Sequence, residues 1–178
     1  SFVLSVETEE LFINAGLQDR VVQIYEGLVF MDFNEEHMNK MGHGVYKRLP
    51  SSYVDNLPLF IAYENDPSDS GKIHSTVRQQ WNDGVKKVRK AMSEFGRYTD
   101  KAVDAMENKD AGKLMALMNA NFDLRRDLFG DACLGETNLK MVKIGRKNGA
   151  AVKFPGSGGA FTDVSSAIPR NNSIPATT

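Results

Sequence analysis

Cysteine is almost missing from this chain: Cys133 is the only one in 178 residues. No intrachain disulfide can form, and such a composition suits a reducing compartment. No apolar run reaches the length of a membrane-spanning helix. Positive charge is not in excess either, since 22 Lys plus Arg meet 23 Asp plus Glu for a net charge of −1. The charges are interspersed, so the basic surface of a nucleic-acid binder is lacking. The opening Ser1-Phe2-Val3-Leu4-Ser5-Val6 meets Glu7 without a basic stretch before it, unlike a secretory signal. The expectation is a cytoplasmic protein with neither nucleic acid nor membrane among its partners.

What is present is an ordinary globular balance, 41% hydrophobic and 25% charged residues. This length buries one good core and leaves room for a second small lobe. Residues 1–12 read as the end of a helix, with Phe2, Val3, Val6 and Leu11 between acidic residues. Residues 21–33 hold two β-type stretches around Gly27, and residues 34–57 read mainly as connection. Leu57 to Tyr63 is strand-like. The clearest periodicity follows: Val77, Trp81, Val85, Val88, Met92 and Phe95 recur every three or four residues, one face of a long helix.

A second helix is expected from about Tyr98 to Met106. Asp110 can cap a third, with Leu114, Met118 and Phe122 facing inward. Leu134 to Lys147 makes a fourth, stopped by Asn148-Gly149. Ala150 to Phe154 is strand-like, and the tail from Ser165 to Thr178, rich in Ser, Pro, Asn and Thr, reads as disordered or loosely docked. Strands, then clustered helices, then a strand give an α+β class rather than a regular βαβ winding.

Two segments carry chemistry. Ala15-Gly16-Leu17-Gln18-Asp19-Arg20 sets an acid before a β-branched apolar run, and Phe154-Pro155-Gly156-Ser157-Gly158-Gly159-Ala160 is a glycine loop after a strand. Asp19 can orient or deprotonate an acceptor hydroxyl, or it can simply solvate a turn after Gly16. The glycines offer backbone N–H groups without Cβ obstruction to a phosphate, or they serve a tight turn that needs positive φ. Ser70-Gly71-Lys72 superficially matches a P-loop, but the upstream glycine is missing and Ile73 replaces the hydroxyl residue. His37, His43 and His74 lack metal-ligand spacing. Cys133, Trp81, Met115 and Met118 read as packed side chains. Arg125-Arg126, beside Asp123 and Asp127, reads as a solvated, self-paired helix face.

With those residues assembled, the chain resembles the GHMP kinases, and within them the sugar-acid branch of plant-type glucuronokinases. The resemblance runs through Ala15-Gly-Leu-Gln-Asp-Arg-Val21, Gly27-Leu-Val-Phe-Met-Asp-Phe33 and Asn65-Asp-Pro-Ser-Asp-Ser-Gly-Lys-Ile-His-Ser75. It continues in Asn121-Phe-Asp-Leu-Arg-Arg126, Phe129-Gly-Asp131 and Gly149-Ala-Ala-Val-Lys-Phe-Pro-Gly-Ser-Gly-Gly159, so that residues 10–161 are covered. It implies a ferredoxin-like C-terminal lobe with an antiparallel sheet and packed helices. Residues 1–50 would be the end of the N-terminal lobe, 51–163 the C-terminal domain and 164–178 a flexible tail.

The implied activity is transfer from ATP, with Mg2+, to the anomeric hydroxyl of D-glucuronate. By position, Asp19 matches the acid at the acceptor hydroxyl, and Gly156, Ser157, Gly158 and Gly159 match the loop near the phosphates. Ser70 and Lys72 are candidates for substrate or phosphate contact, and Glu10, or its neighbour Glu9, for magnesium. Three departures stand out. The family's nucleotide loop and its first motif do not occur in these residues, so an N-terminal kinase half is the expected missing partner and the isolated fragment is expected to be inactive. Pro155 stands where a threonine is usual, and after Phe161 the family's final strand and helix are not recognisable. The alternatives are the same fold acting on a heptose phosphate, fucose or galactose, and a non-catalytic binding or regulatory module.

Overall fold

The computed structural model describes residues 9–10, 16–55, 57–63, 77, 79–156 and 160–165. The chain divides into two compact units, residues 1–55 and residues 56–178.

The first unit begins with α1, Gln18–Tyr25, in the stretch whose β-branched residues suggest a strand. Helical spacing wins because it places Val21 in the interior and, four residues on, sets the Tyr25 ring edge-on to Tyr46 at 5.7 Å. Glu26 (φ 54°) and Gly27 (φ 68°) then end the helix. Strand β1, Val29–Asp32, pairs antiparallel with β2, Val45–Arg48, with Asp32 opposite Val45.

Between them lies α2, Glu35–Met41, so the expected connection over 34–57 holds a helix and a strand instead. The Asn34 side chain accepts from the His37 amide at 3.2 Å, and Gly42 (φ 74°) closes the other end. The capping residues of so short a helix are easily passed over in a polar segment. Gly44 sits so close to β1 that an added Cβ would lie 2.5 Å from the Asp32 carbonyl oxygen.

The second unit is helices on a three-stranded antiparallel sheet among the described residues. Strand β3, Leu59–Tyr63, pairs with β5, Ala160–Ser165, which pairs with β4, Ala150–Lys153. The long periodic helix is interrupted. Residues 79–82 are helical, Gly84 turns with φ 73°, and α3 starts afresh at Lys86 and runs to Glu107. The separate helix expected over 98–106 is therefore the second half of α3. No residue there breaks the ladder, and Val88, Ala91 and Ala105 share its buried side.

Helix α4, Ala111–Phe129, is capped by Asp110, whose Oδ1 accepts from the Lys113 amide at 2.9 Å. Leu114, Met118 and Phe122 are buried at intervals of four, as expected. The expected fourth helix is split by Gly135 (φ 82°) into α5, Asp131–Leu134, and α6, Glu136–Lys147. Buried Asn138 ties the two together by donating to the Leu134 carbonyl at 2.8 Å. Gly149 (φ 79°) ends α6 and turns the chain into β4.

Strand β4 is covered on both faces. Ala150, Val152 and Phe154 pack with Phe122, Leu134 and Val142 on one side, while Ala151 and Val164 join Ala105, Leu114 and Met118 on the other. Burial of side chains the size of Phe122 or Val152 contributes about 1.5–3 kcal/mol each. The Val152 amide on the sheet edge donates to Asn119 Oδ1 of α4 at 3.2 Å. That bond sets how far β4 slides along α4, and hence where the glycine loop begins. The α+β class and antiparallel sheet agree with expectation. No helix among the described residues is long and apolar enough to cross a membrane. The expected N-terminal helix end, apart from helical Glu9 and Glu10, and the tail beyond Ser165 lie outside the described residues.

Candidate functional site

Strand β4 delivers the chain into Phe154-Pro155-Gly156. Phe154 is buried, its ring edge-on to Phe122 at 5.3 Å, whereas Pro155 and Gly156 are exposed. The loop is thus rooted in the core and emerges at the surface within two residues. At Gly156 the backbone is not left-handed, and an added Cβ would meet nothing within 4 Å. The turn reading of the glycines does not hold at this position, because neither φ nor packing requires a glycine there.

Two cations hold the root of the loop. The Arg125 guanidinium, reaching from α4, lies 5.4 Å from the Phe129 ring centre and 5.3 Å from that of Phe154. Its Nη1 donates to the Gly156 carbonyl at 2.8 Å. Lys153 Nζ donates to the Phe154 carbonyl, also at 2.8 Å. Burial pushes the Lys153 ammonium below its ordinary value, and the charge of Arg125 pushes it further. Burial also lowers Arg125, with Cys133 acting in the opposite sense.

Arg125 corrects the reading of a solvated, self-paired helix face. The carboxylates beside it take other partners: Arg146 Nη1 donates to Asp123 at 2.8 Å, Lys87 sits 3.0 Å from Asp127, and Arg126 forks onto Asp131 at 2.5 and 2.7 Å. Arg125 itself follows the buried stripe Leu114, Met118, Phe122 at the next helical step, and that spacing was the available signal. Lys153 could have been flagged by its place directly ahead of the loop.

Asp19 belongs to the first unit. It stands in the first turn of α1 with a side chain 81% exposed, its Oδ2 3.4 Å from Arg20 Nη1. The same Nη1 donates to the Gly16 carbonyl at 3.0 Å, so Arg20 clips the glycine to the helix start and holds the carboxylate beside it. Asp19 is not the helix cap, a position taken by Leu17 without a side-chain bond. Glu10 is exposed. Among the described residues no group of three or more His, Cys, Asp or Glu side chains could hold a metal. Ser70, Lys72, Ser157, Gly158 and Gly159 lie outside the described residues.

No family model matches the chain. Individual proteins do. The chain is 53% identical over 160 residues to "Glucuronokinase 1" of Arabidopsis thaliana, and 50% identical over 161 residues to "Probable glucuronokinase 2" of the same plant. This chain is a homologue of the glucuronokinases. Each match takes in 90% of the chain, which spans 43% of the length of either relative. Among solved structures, mevalonate kinase of L. major in complex with R-mevalonate matches with a TM-score of 0.66 and 21% identity. That alignment takes in 86% of this chain and 46% of the other. The glucuronokinase homologue therefore has the fold of a GHMP kinase.

Proposed function

We propose that this chain is part of an ATP-dependent sugar kinase that phosphorylates the anomeric hydroxyl of D-glucuronate, giving glucuronate 1-phosphate. The observation that carries the reading is 53% identity to a glucuronokinase sustained over 90% of the chain. In this reading the sugar hydroxyl attacks the terminal phosphorus of ATP, the bond to ADP breaks, and the hydroxyl proton passes to a carboxylate. Such transfers depend on positioning and charge stabilisation more than on covalent help from the protein.

Asp19 is the proposed carboxylate. Arg20, 3.4 Å away, limits its motion at the start of α1, and a carboxylate held in place is what proton acceptance requires. Gly156, with Ser157, Gly158 and Gly159, is proposed to lie against the phosphates, with backbone N–H groups as donors. The structural redundancy of glycine at Gly156 supports this, since ligand approach then accounts for the missing side chain. Ser70 and Lys72 remain proposed contacts to substrate or phosphate, and an N-terminal kinase half the proposed partner.

Magnesium is expected with ATP, and Glu10 is the proposed ligand. Glu10 and its neighbour Glu9 are both exposed, and among the described residues no group of three or more His, Cys, Asp or Glu side chains could hold the ion.

The test is ADP release by full-length enzyme containing this chain, offered D-glucuronate, galactose, fucose or a heptose phosphate. Turnover only with D-glucuronate supports the proposal. Turnover with another sugar moves the assignment to a different GHMP substrate. A folded protein that neither turns over any of them nor binds ATP would be the non-catalytic module.

A further inference from the structure

Strand β3 lies at one edge of its sheet, with β5 on one side and no strand on the other among the described residues. Its five residues alternate. Phe60 and Ala62 pack against the core cluster that holds Phe122 and Val152, while Leu59, Ile61 and Tyr63 are 50%, 64% and 73% exposed. Edge strands are ordinarily guarded by a lysine, a proline or a bulge, and β3 carries none from Leu59 to Tyr63. Leu59, Ile61 and Tyr63 stand opposite Val164, Thr162 and Ala160 of β5, so neither strand bears a charge on this face. A row of large apolar side chains beside an open backbone edge is a surface that another strand fits.

The tail of the chain is poorly suited to it. Thirteen residues follow Ser165. To run antiparallel to β3 they would lie parallel to β5, and such a crossover takes about a dozen residues before pairing begins. A direct turn onto the edge brings Pro169 and Pro175, with Arg170-Asn171-Asn172-Ser173-Ile174 between them, a stretch of little strand character. A strongly charged partner finds no opposite charge on β3.

A second copy does fit. Ile61 is the middle residue of β3. Turned about a two-fold axis there, the strand meets itself antiparallel, with Ile61 opposite Ile61 and Leu59 opposite Tyr63 at both ends. Every one of these facing pairs is apolar, and no like charges meet.

We propose that the free edge of β3 is a dimerisation surface, on which a second copy of this chain adds its own β3 antiparallel to make one continuous sheet. Backbone hydrogen bonds across the axis set the register, and the Leu59, Ile61 and Tyr63 side chains of the two copies cover one another. The contact is one short strand, so the dimer is weak and forms with rising concentration. This surface is independent of the kinase reading.

The test is sedimentation velocity of the chain over a concentration series. The wild type is expected to pass from monomer to dimer mass. Ile61→Lys sets two ammonium groups face to face at the axis and should weaken the dimer at least about tenfold, with a melting temperature near wild type because the side chain is exposed. Ile144→Lys, at a 53% exposed position on α6, should change nothing. Leu59→Lys with Tyr63→Glu in one chain puts opposite charges together at both ends and should keep the dimer, whereas Leu59→Lys with Tyr63→Lys should lose it.

A chain that stays monomeric throughout overturns the proposal and leaves the edge to residues 166–178 or to a different protein. So does a dimer that Ile61→Lys leaves intact, or one that Ile144→Lys disrupts equally. Equal loss in both double variants would overturn the antiparallel register.

Discussion

Gly156 and Gly44 show two different reasons for a glycine. At Gly44 a methyl group would lie 2.5 Å from the Asp32 carbonyl oxygen and 2.9 Å from the Tyr46 ring. Gly44→Ala must therefore push β1 or Tyr46 aside, and a loss of about 1–3 kcal/mol in unfolding free energy is expected, measurable by urea titration. At Gly156 the same methyl meets nothing. Gly156→Ala should leave the melting temperature within about 1–2 °C of wild type, in keeping with a change below ~0.5 kcal/mol. The kinase activity proposed for the full-length enzyme should nevertheless fall, because the methyl occupies space proposed for a ligand. Equal loss of stability in both variants would remove the argument.

Lys153 extends this to charge. Its folded-state pKa is depressed from an ordinary 10.5, so the folded chain binds this proton less firmly than the unfolded chain. The penalty is in force below the folded pKa and is relieved as pH rises toward 10.5. Near pH 7 Lys153→Met should consequently keep or raise the melting temperature, with Arg125 and Cys133 as the charged and titratable neighbours left in place. Any advantage of the methionine variant should shrink in alkaline buffer. A variant markedly less stable at pH 7 would contradict a strained ammonium.

At the scale of elements, α4 is the organiser of the second unit. Phe122 joins it to the sheet, Asn119 holds the edge of β4, and Arg146 of α6 reaches back to it through three bonds. Arg146 Nε meets Asn119 Oδ1 at 3.1 Å, Nη2 meets the Asn119 carbonyl at 3.1 Å, and Nη1 meets Asp123 at 2.8 Å. Asn119→Leu strands the Val152 amide and Arg146 Nε together, while the Arg146 Nη2 bond to the backbone carbonyl stays. A destabilisation of about 1–3 kcal/mol is expected, with faster hydrogen exchange at the Val152 amide than in Phe122→Leu, which leaves that bond intact.

The sequence makes α4 readable because its cap and its four-residue stripe agree with each other. It hides α1, whose Val21, Val22 and Ile24 favour strands locally while Tyr46, distant in sequence, rewards the helical placement of Tyr25. It also hides the break at Gly84, since the apolar period continues across the turn. Of the candidate site, the glycine stretch and Asp19 stood out by composition. The inward turn of Arg125 did not, because only the packing of Phe129 and Phe154 shows which of two adjacent arginines is solvated.

For the whole molecule, homology to the glucuronokinases covers nearly all of the chain but under half of each relative. Asp19 and the glycine stretch belong to separate units, and the role proposed for Asp19 can be tested by itself. Removing a proton acceptor without changing side-chain volume isolates that role. Asp19→Asn should lower kcat about 10²–10⁴-fold with little change in stability.

The most direct measurement is 31P NMR of the product formed from ATP and D-glucuronate by the full-length enzyme, wild type against Asp19→Asn. The account predicts a phosphomonoester coupled to the anomeric proton in the wild type, and almost none from the variant over the same time. ATP consumed to phosphorylate a different hydroxyl or a different sugar, or an Asp19→Asn enzyme as fast as wild type, would contradict it.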